Sequence, residues 1–414
     1  MKINILQNIR VVKLLLFICS GSIIASCNKE LAKAIPIPYT YVNDSPTTIA
    51  AAISTDTSYT FFKAAATRVG VLPILDDSTK IFTVFLPNNA AFRASGITSI
   101  AMINAFPIAT VGAIVQYHII PGQQYTSADV PTTFPNIQLP TYLTIGALPG
   151  TPLPLKMSTF PSTRANGFWD NNIPVLTPDL KFRNGVVHLV AAIVNPPSQV
   201  LKSAIGRNPN LNYFKAAIAR ADSGQTGLNK LDSLLNYPVT NMTVLAPSDA
   251  AFQTLIFGLV FQTYLSGRPM PYTGADTSNA VATANGAVAA GPIFLATNNV
   301  STALVKGIMA YHFLASPNPV SGAIEPNIRV FSVNFSTTPA FVKTLVNTVV
   351  AVHPGVMTQA TFTGPFVTSL KFTGLGTFPP GGQPYSGTAA NATSLDNHAV
   401  NGVYYVIDKV LLPQ

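Results

Sequence analysis

Four blocks of this 414-residue chain recur in the same order further along it, and that repeat limits what the chain can fold into. Ile49 to Arg68 lies over Leu201 to Arg220 without a gap. Seven of the twenty positions are identical, Ala52/Ala204, Ile53/Ile205, Phe62/Phe214, Lys63/Lys215 and Ala64/Ala216 among them. Thr83 to Phe92 (TVFLPNNAAF) then matches Thr243 to Phe252 (TVLAPSDAAF). Tyr117-His118 matches Tyr311-His312, and Asn184-Gly185-Val186 matches Asn401-Gly402-Val403. The offset grows from 152 to 160, 194 and 217 residues while the order holds. One unit duplicated, with extra loops in the second copy, accounts for that pattern.

Each block has a local reading. Ser45-Pro46 offers a helix cap followed by a first-turn proline. Ile49, Ala52 and Ile53 then share a face at helical spacing, as do Phe61, Phe62, Ala65 and Val69. Leu201, Ala204, Ile205, Tyr213, Phe214 and Ala217 repeat both faces. Ile81 to Phe85 is strand-prone and Pro87 stops it, so that Asn88 or Asn89 caps a short helix that turns Phe92 inward. Met242 to Leu245, Pro247, Ser248 or Asp249, and Phe252 repeat the device. Tyr117-His118 and Tyr311-His312 sit in apolar surroundings. Buried histidines need hydrogen-bond partners, and recurrence at equivalent points favours a structural role over a catalytic one. Asn184-Gly185 and Asn401-Gly402 signal hairpins before strand-like tails at 185–194 and 402–412. Further strands are expected at 153–157, 173–176, 328–335, 345–352 and 366–372, and long loops at 265–292 and 373–395. The short join Asn195-Pro196-Pro197-Ser198 is stiff and restricts how the two units move.

The N-terminus carries a different message. Lys2, Arg10 and Lys13 precede an apolar run from Leu14 to Ile18, and small residues follow, which reads as an export signal. Ile24-Ala25-Ser26-Cys27 resembles the bacterial lipobox, in which the signal is removed before a cysteine that then carries lipid. The expected plan is a signal peptide at 1–26, a lipidated cysteine and tether at 27–43, and units at 44–197 and 198–414. Cleavage would leave a net charge of +6 on 388 residues, down from +9. Spread that thinly, the charge marks no nucleic-acid footprint. Cys27 would be the only remaining cysteine, so no intramolecular disulfide is available and the core must carry stability. Apolar residues at 48% and charged residues at 9% suit that demand and exclude a highly charged disordered chain.

No catalytic set is legible. The chain has no Gly-x-Ser-x-Gly elbow, no phosphate-binding loop and no His-Glu-x-x-His. His118, His188, His312, His353 and His398 are widely spaced, so no local metal site and no cofactor is expected. Asp76-Asp77 reads as a turn or cap. The contact candidates are aromatic. Trp169 lies in Ala165-Asn-Gly-Phe-Trp-Asp-Asn-Asn172 among polar turn formers, where it is either an exposed sugar or protein contact or a packed loop anchor. Tyr272 and Tyr385 sit in the long insertions of the second copy.

In order and in duplicate, these blocks resemble the fasciclin (FAS1) domain family. Thr83, Pro87 and Phe92, with Thr243, Pro247 and Phe252, fit its first conserved segment. Tyr117 and His118, in YHIIPG, fit its Tyr-His segment, and Tyr311 and His312 fit a degraded copy, YHFLAS. Asn184, Gly185 and His188, with Asn401, Gly402 and Asp408, fit its second conserved segment. Two positions depart from the pattern: Tyr405 stands where His188 stands in the first copy, and Ala191 where Asp408 stands in the second. The resemblance implies an α/β (α+β) fold of two fasciclin-like units, each a β-sandwich or wedge-like sheet packed with several helices. It implies a non-enzymatic surface protein that adheres to or binds protein or polysaccharide. Combined with Cys27, the expectation is a lipoprotein of the bacterial outer membrane facing outward, with the periplasmic face as the alternative. The competing functional classes are a structural or assembly component of an outer-membrane surface complex and, more remotely, a secreted enzyme.

Overall fold

The structure, a computed structural model, describes residues 45–296, 300–318, 320–376 and 389–413. Cys27, the tether and Tyr385 lie outside those residues.

The first copy opens with helices α1 (Ile49–Thr55) and α2 (Thr60–Arg68). Thr48, rather than Ser45, caps α1, its hydroxyl accepting from the Ala51 amide. Strand β1 (Phe82–Pro87) follows, then α3 (Asn89–Ala94), α4 (Ile100–Ala105), α5 (Ile108–Tyr117) and β2 (Ile119–Pro121). Strands β3 (Leu139–Ala147) and β4 (Pro154–Thr159) form a separate hairpin. Strands β5 (Pro161–Arg164), β6 (Gly167–Asp170), β7 (Ile173–Phe182) and β8 (Gly185–Val190) complete a sheet of order β2-β1-β8-β7-β6-β5. Its neighbours are antiparallel except β1 and β8, which run parallel from Phe82 opposite Gly185 to Pro87 opposite Val190.

The second copy repeats this plan. Helices α6 (Leu201–Arg207), α7 (Asn212–Ala221) and α8 (Leu231–Asn236) lead to β9 (Met242–Pro247). Then come α9 (Asp249–Ser266), α10 (Gly274–Ala289), α11 (Ile293–Ala296) and α12 (Thr302–Tyr311). A small ribbon, β10 (Ser316–Pro317) and β11 (Ile324–Glu325), precedes β12 (Ala340–Val342), β13 (Val356–Thr363), β14 (Phe366–Thr373), β15 (Ala390–Ala399) and β16 (Gly402–Ile407). The sheet order is β12-β13-β14-β15-β16-β9, and β9 runs parallel to β16 with Met242 opposite Gly402. The parallel register is the same in both copies. The counterpart of β2 is reduced to a single bridge, Val244 to Phe313.

Each unit is thus a curled, half-barrel sheet packed with helices, the wedge-like form of the expected fold. The central strands read GVVHLV and GVYYVI, nearly unbroken apolar runs, because both of their faces are covered. On β1, Phe82, Val84 and Leu86 face the helices with Ile49, Phe62, Phe92 and Val115, whereas Phe85 faces away with Tyr117 and Val190. On β9, Val244 and Ala246 join the helix-side core with Phe214 and Phe252, and Leu245 faces the opposite core. That opposite core of the second unit takes in two residues of the first, Phe160 and Trp169. The two units therefore share one hydrophobic cluster.

Three expected elements differ. Residues 328–335 form no strand, although Ile328, Val330, Phe331 and Val333 are buried there. Side chains satisfy that backbone in place of a ladder: Thr243 Oγ1 donates to the Ile328 carbonyl and accepts from the Val330 amide, at 2.7 and 2.9 Å. Residues 345–352 hold a short 3₁₀ turn with Val349 and Val352 exposed. The expected loop at 265–292 is mostly α10, an alanine-rich helix opened by a reciprocal Thr273–Asp276 capping box. Ala280 and Ala284 are its buried residues, and their small side chains let α10 lie against α9.

Candidate functional site

The recurring polar residues bind backbone, and they do so in matched pairs. Asn184 Oδ1 accepts from the Ile49 amide at the start of α1 (3.0 Å), while its Nδ2 donates to the Leu75 carbonyl (2.8 Å). Asn401 Oδ1 accepts from the Leu201 amide at the start of α6 (2.7 Å), and its Nδ2 donates to the Leu235 and Tyr237 carbonyls (3.0 Å each). One amide side chain thus caps a helix N-terminus and fixes the loop before the parallel strand. The glycines that follow are demanded by that close approach: a Cβ on Gly185 would stand 2.0 Å from the Phe82 carbonyl oxygen, and one on Gly402 2.3 Å from that of Met242.

The two Tyr-His pairs are also matched. His118 Nδ1 lies 2.8 Å from the Ile114 carbonyl, and its Nε2 accepts from the Val194 amide at 3.0 Å. His312 stands at the same distances from the Ile308 carbonyl and the Leu411 amide. Each ring ties the end of a helix to the closing segment of its unit. Burial holds both imidazoles down to about 4, so they are neutral, with Nδ1–H as donor and Nε2 as acceptor. The Tyr117 and Tyr311 hydroxyls donate to the Ser158 and Gly355 carbonyls, and burial raises both phenols.

The two departures from the repeat have structural counterparts. His188 Nε2 meets the Tyr125 carbonyl at 2.9 Å, and Tyr405 donates its hydroxyl to the Val330 carbonyl at 2.7 Å. These carbonyls are equivalent, because Thr83 accepts from the Tyr125 amide as Thr243 does from Val330. Asp408 accepts from the Asn391 amide at 2.7 Å. The residue equivalent to Asn391 is Pro174, which has no N–H, and there Ala191 stands in place of the carboxylate. Sequence reading also missed a matched pair. Asp179 and Asp396, both at positive φ, accept from the amide and hydroxyl of Ser127 and Ser332. Both aspartates lie at the 217-residue offset, which was the available signal.

The aromatic contact candidates separate. Trp169 is only 2% exposed and packs with Phe160 into the shared cluster between the units, so its ring presents no surface to a ligand. Its polar neighbours, which made it look exposed, reach across the same seam: Asn166 donates to the Val333 carbonyl and Asn172 to Asp396. Asn136 donates to the Arg329 carbonyl and to Asn334 Oδ1, and Asn334 donates to Ser162. The Arg329 guanidinium lies 4.3 Å from the centre of the Phe160 ring. Tyr272 is 40% exposed, close to Met270 at 78%, on the connection between α9 and α10. In the first copy the counterpart of α9 is the six-residue α3, so this projecting hairpin belongs to the second unit alone.

An open groove of about 450 Å³ lies beside β1 and β2, lined by Ile74, Lys80, Ile81, Phe82, Pro121 and Tyr142 among others. Among the described residues no group of three or more His, Cys, Asp or Glu side chains is placed to hold a metal ion.

Two copies of one α+β unit, whose recurring polar residues serve their own backbone, define a tandem scaffold. Residues 57–196 match the family model described as Fasciclin domain. The second unit repeats its topology and parallel register. Among solved structures the chain is similar to a FAS1 domain pair from the insect cell adhesion molecule fasciclin I. The two are 14% identical over 85% of this chain and 95% of that one, with a TM-score of 0.31. No curated protein matches the chain.

Proposed function

We propose that the protein is a lipid-anchored surface adhesion or binding protein of the bacterial outer membrane that recognises protein or polysaccharide without converting it. The observation that carries the reading is the match of residues 57–196 to the Fasciclin domain model, in a unit built a second time with the same topology; fasciclin domains are a non-catalytic adhesion family. The anchor reading is supported by the Lys2-to-Cys27 sequence alone. No helix among the described residues is long and apolar enough to cross a membrane, so attachment would rest on acyl chains at Cys27, with more than one chain needed for durable anchoring.

The contact surface we favour is the α9–α10 connection, where Tyr272 and Met270 are exposed together. Binding of residues 44–414 to a glycan and matrix-protein array tests the function. The expected result is a ligand whose affinity falls by more than about 1 kcal/mol on Tyr272→Ala or Met270→Ala. A ligand unaffected by both changes removes this surface. No ligand at all, with co-purification in a membrane complex, favours an assembly component instead. Intact-mass analysis of the membrane fraction tests the anchor, and an unmodified chain starting elsewhere than Cys27 rejects it.

A further inference from the structure

Beside the seam, within the first unit, lies a carboxyl group with one oxygen that no protein group answers. Asp170, on β6 beside Trp169, is fully buried. Its Oδ1 accepts from the Thr159 hydroxyl, and its Oδ2 finds no protein partner. The two sides of β6 meet the second unit differently. Trp169 packs directly into that unit's core. On the other side, the Tyr117 phenol feels both the Asp170 carboxyl and the Arg329 guanidinium of the second unit, and Val400 packs against the same cluster as Tyr117. Arg329 is itself buried and bonds Asn241, His398 and the Ala399 and Val400 carbonyls, with no carboxylate among these partners. The titratable groups around this region are thus Tyr117 on α5, Arg329 with His398 behind it, and Asp396, which Asn172 reaches across the seam and Tyr405 bonds.

We propose that this seam is a proton-sensitive latch between the two domains, with the Asp170 carboxyl as its sensing group. A buried carboxylate with one oxygen left without a donor is costly to keep charged, whereas a carboxylic acid bears the same site at far lower cost. Burial pushes the Asp170 carboxyl up to about 7 in the closed form. Opening gives it access to water and returns it toward the ordinary carboxylate range, near 4. Because the closed-state value is the raised one, closure is favoured fully below that lower value. It weakens as the pH rises toward 7, by roughly tenfold per unit.

Trp169 is the only tryptophan in the chain, so selective ¹⁵N-tryptophan labelling of the full chain gives a single indole signal at the seam. Its hydrogen exchange, corrected for base catalysis, reads the opening equilibrium, and the Val84 amide in the core of the first unit serves as the control. The expected result is a rise of about fiftyfold in opening at Trp169 from pH 5 to pH 7, with no matching rise at Val84. Asp170→Asn flattens that rise. Thr159→Val, which removes the one hydrogen bond holding the carboxyl down, moves the window to higher pH. The latch is overturned if Trp169 shows no excess opening over that range or changes in step with Val84. It is equally overturned if D170N keeps the slope, or if T159V leaves the window in place should D170N fail to fold.

Discussion

Acidification from pH 7 to pH 4 removes the charge state that His118 and His312 need, and the cost is large enough to measure. Each ring accepts a backbone N–H at Nε2, which an imidazolium cannot do. Burial lowers each from 6.5 to about 4. A histidine depressed in the folded state contributes stability above its unfolded value of about 6.5, and that stability is lost as the pH falls toward the folded value. At about 1.4 kcal/mol per unit, each ring accounts for about 3 kcal/mol between pH 7 and pH 4, and the pair for about 6. Asp170 works in the opposite sense. Raised from 3.8 to about 7, it destabilises the neutral protein and regains about 3 kcal/mol on the same acidification. From these three groups the wild type loses about 3 kcal/mol between pH 7 and pH 4, and Asp170→Asn loses about 6. Urea unfolding followed by circular dichroism at pH 7, 5.5 and 4 measures both. Direct titration of the two imidazoles by NMR guards against variants that do not fold. Rings that titrate near 6.5 in the folded protein, or a D170N variant no more acid-labile than wild type, would refute the reasoning.

Three further outcomes follow from the matched pairs. Asn184→Ala strands a buried amide and the Leu75 carbonyl and should cost about 2–4 kcal/mol in chemical denaturation, with an equal loss from Asn401→Ala in the second unit. Gly402→Ala drives a methyl group into the Met242 carbonyl and the Leu201 side chain; loss of the cooperative transition of the second unit in calorimetry is expected, and a stable G402A would contradict the close approach. Asp408→Ala leaves the Asn391 amide without its carboxylate and should cost about 1–3 kcal/mol. Ala191→Asp gains nothing opposite Pro174, and only the pair Pro174→Asn with Ala191→Asp should show favourable coupling in a double-mutant cycle.

Much of the fold was legible because its signals are local and occur twice. The β1 block announces strand, stop, cap and inward aromatic within ten residues, and the structure gives Asn88 and Ser248 as the caps. The reading failed where a local signal had a tertiary use. Alanine in α10 was hidden by threonine, glycine and asparagine around it. The apolar run at 328–335 looked like a strand, yet Thr243, Tyr405 and Asp396 take its backbone groups. For Trp169 the sequence allows an exposed contact or a packed anchor, and burial makes it the anchor; the asparagines around it bridge two domains, which no local signal shows. No spacing within one unit can show a partner that lies in the other.

The shared parallel register carries a hazard for a chain that holds the same unit twice. While the chain is folding, β1 could take β16 as its neighbour in place of β8, since Gly402 fits the register that Gly185 fits. Two adjacent domains of like sequence are prone to such misassembly. The positions at which the copies have drifted apart work against it. In the exchanged pairing Tyr405 would have to enter the space that His188 fills between Phe85 and Phe168. Asp408 would lie opposite Pro174 with no N–H to receive, while Asn391 in the other half-mixed sheet would face Ala191 and lose its carboxylate partner. Each copy is thus marked at its last hairpin, and the marks set the exchanged pairing at a disadvantage to the native one.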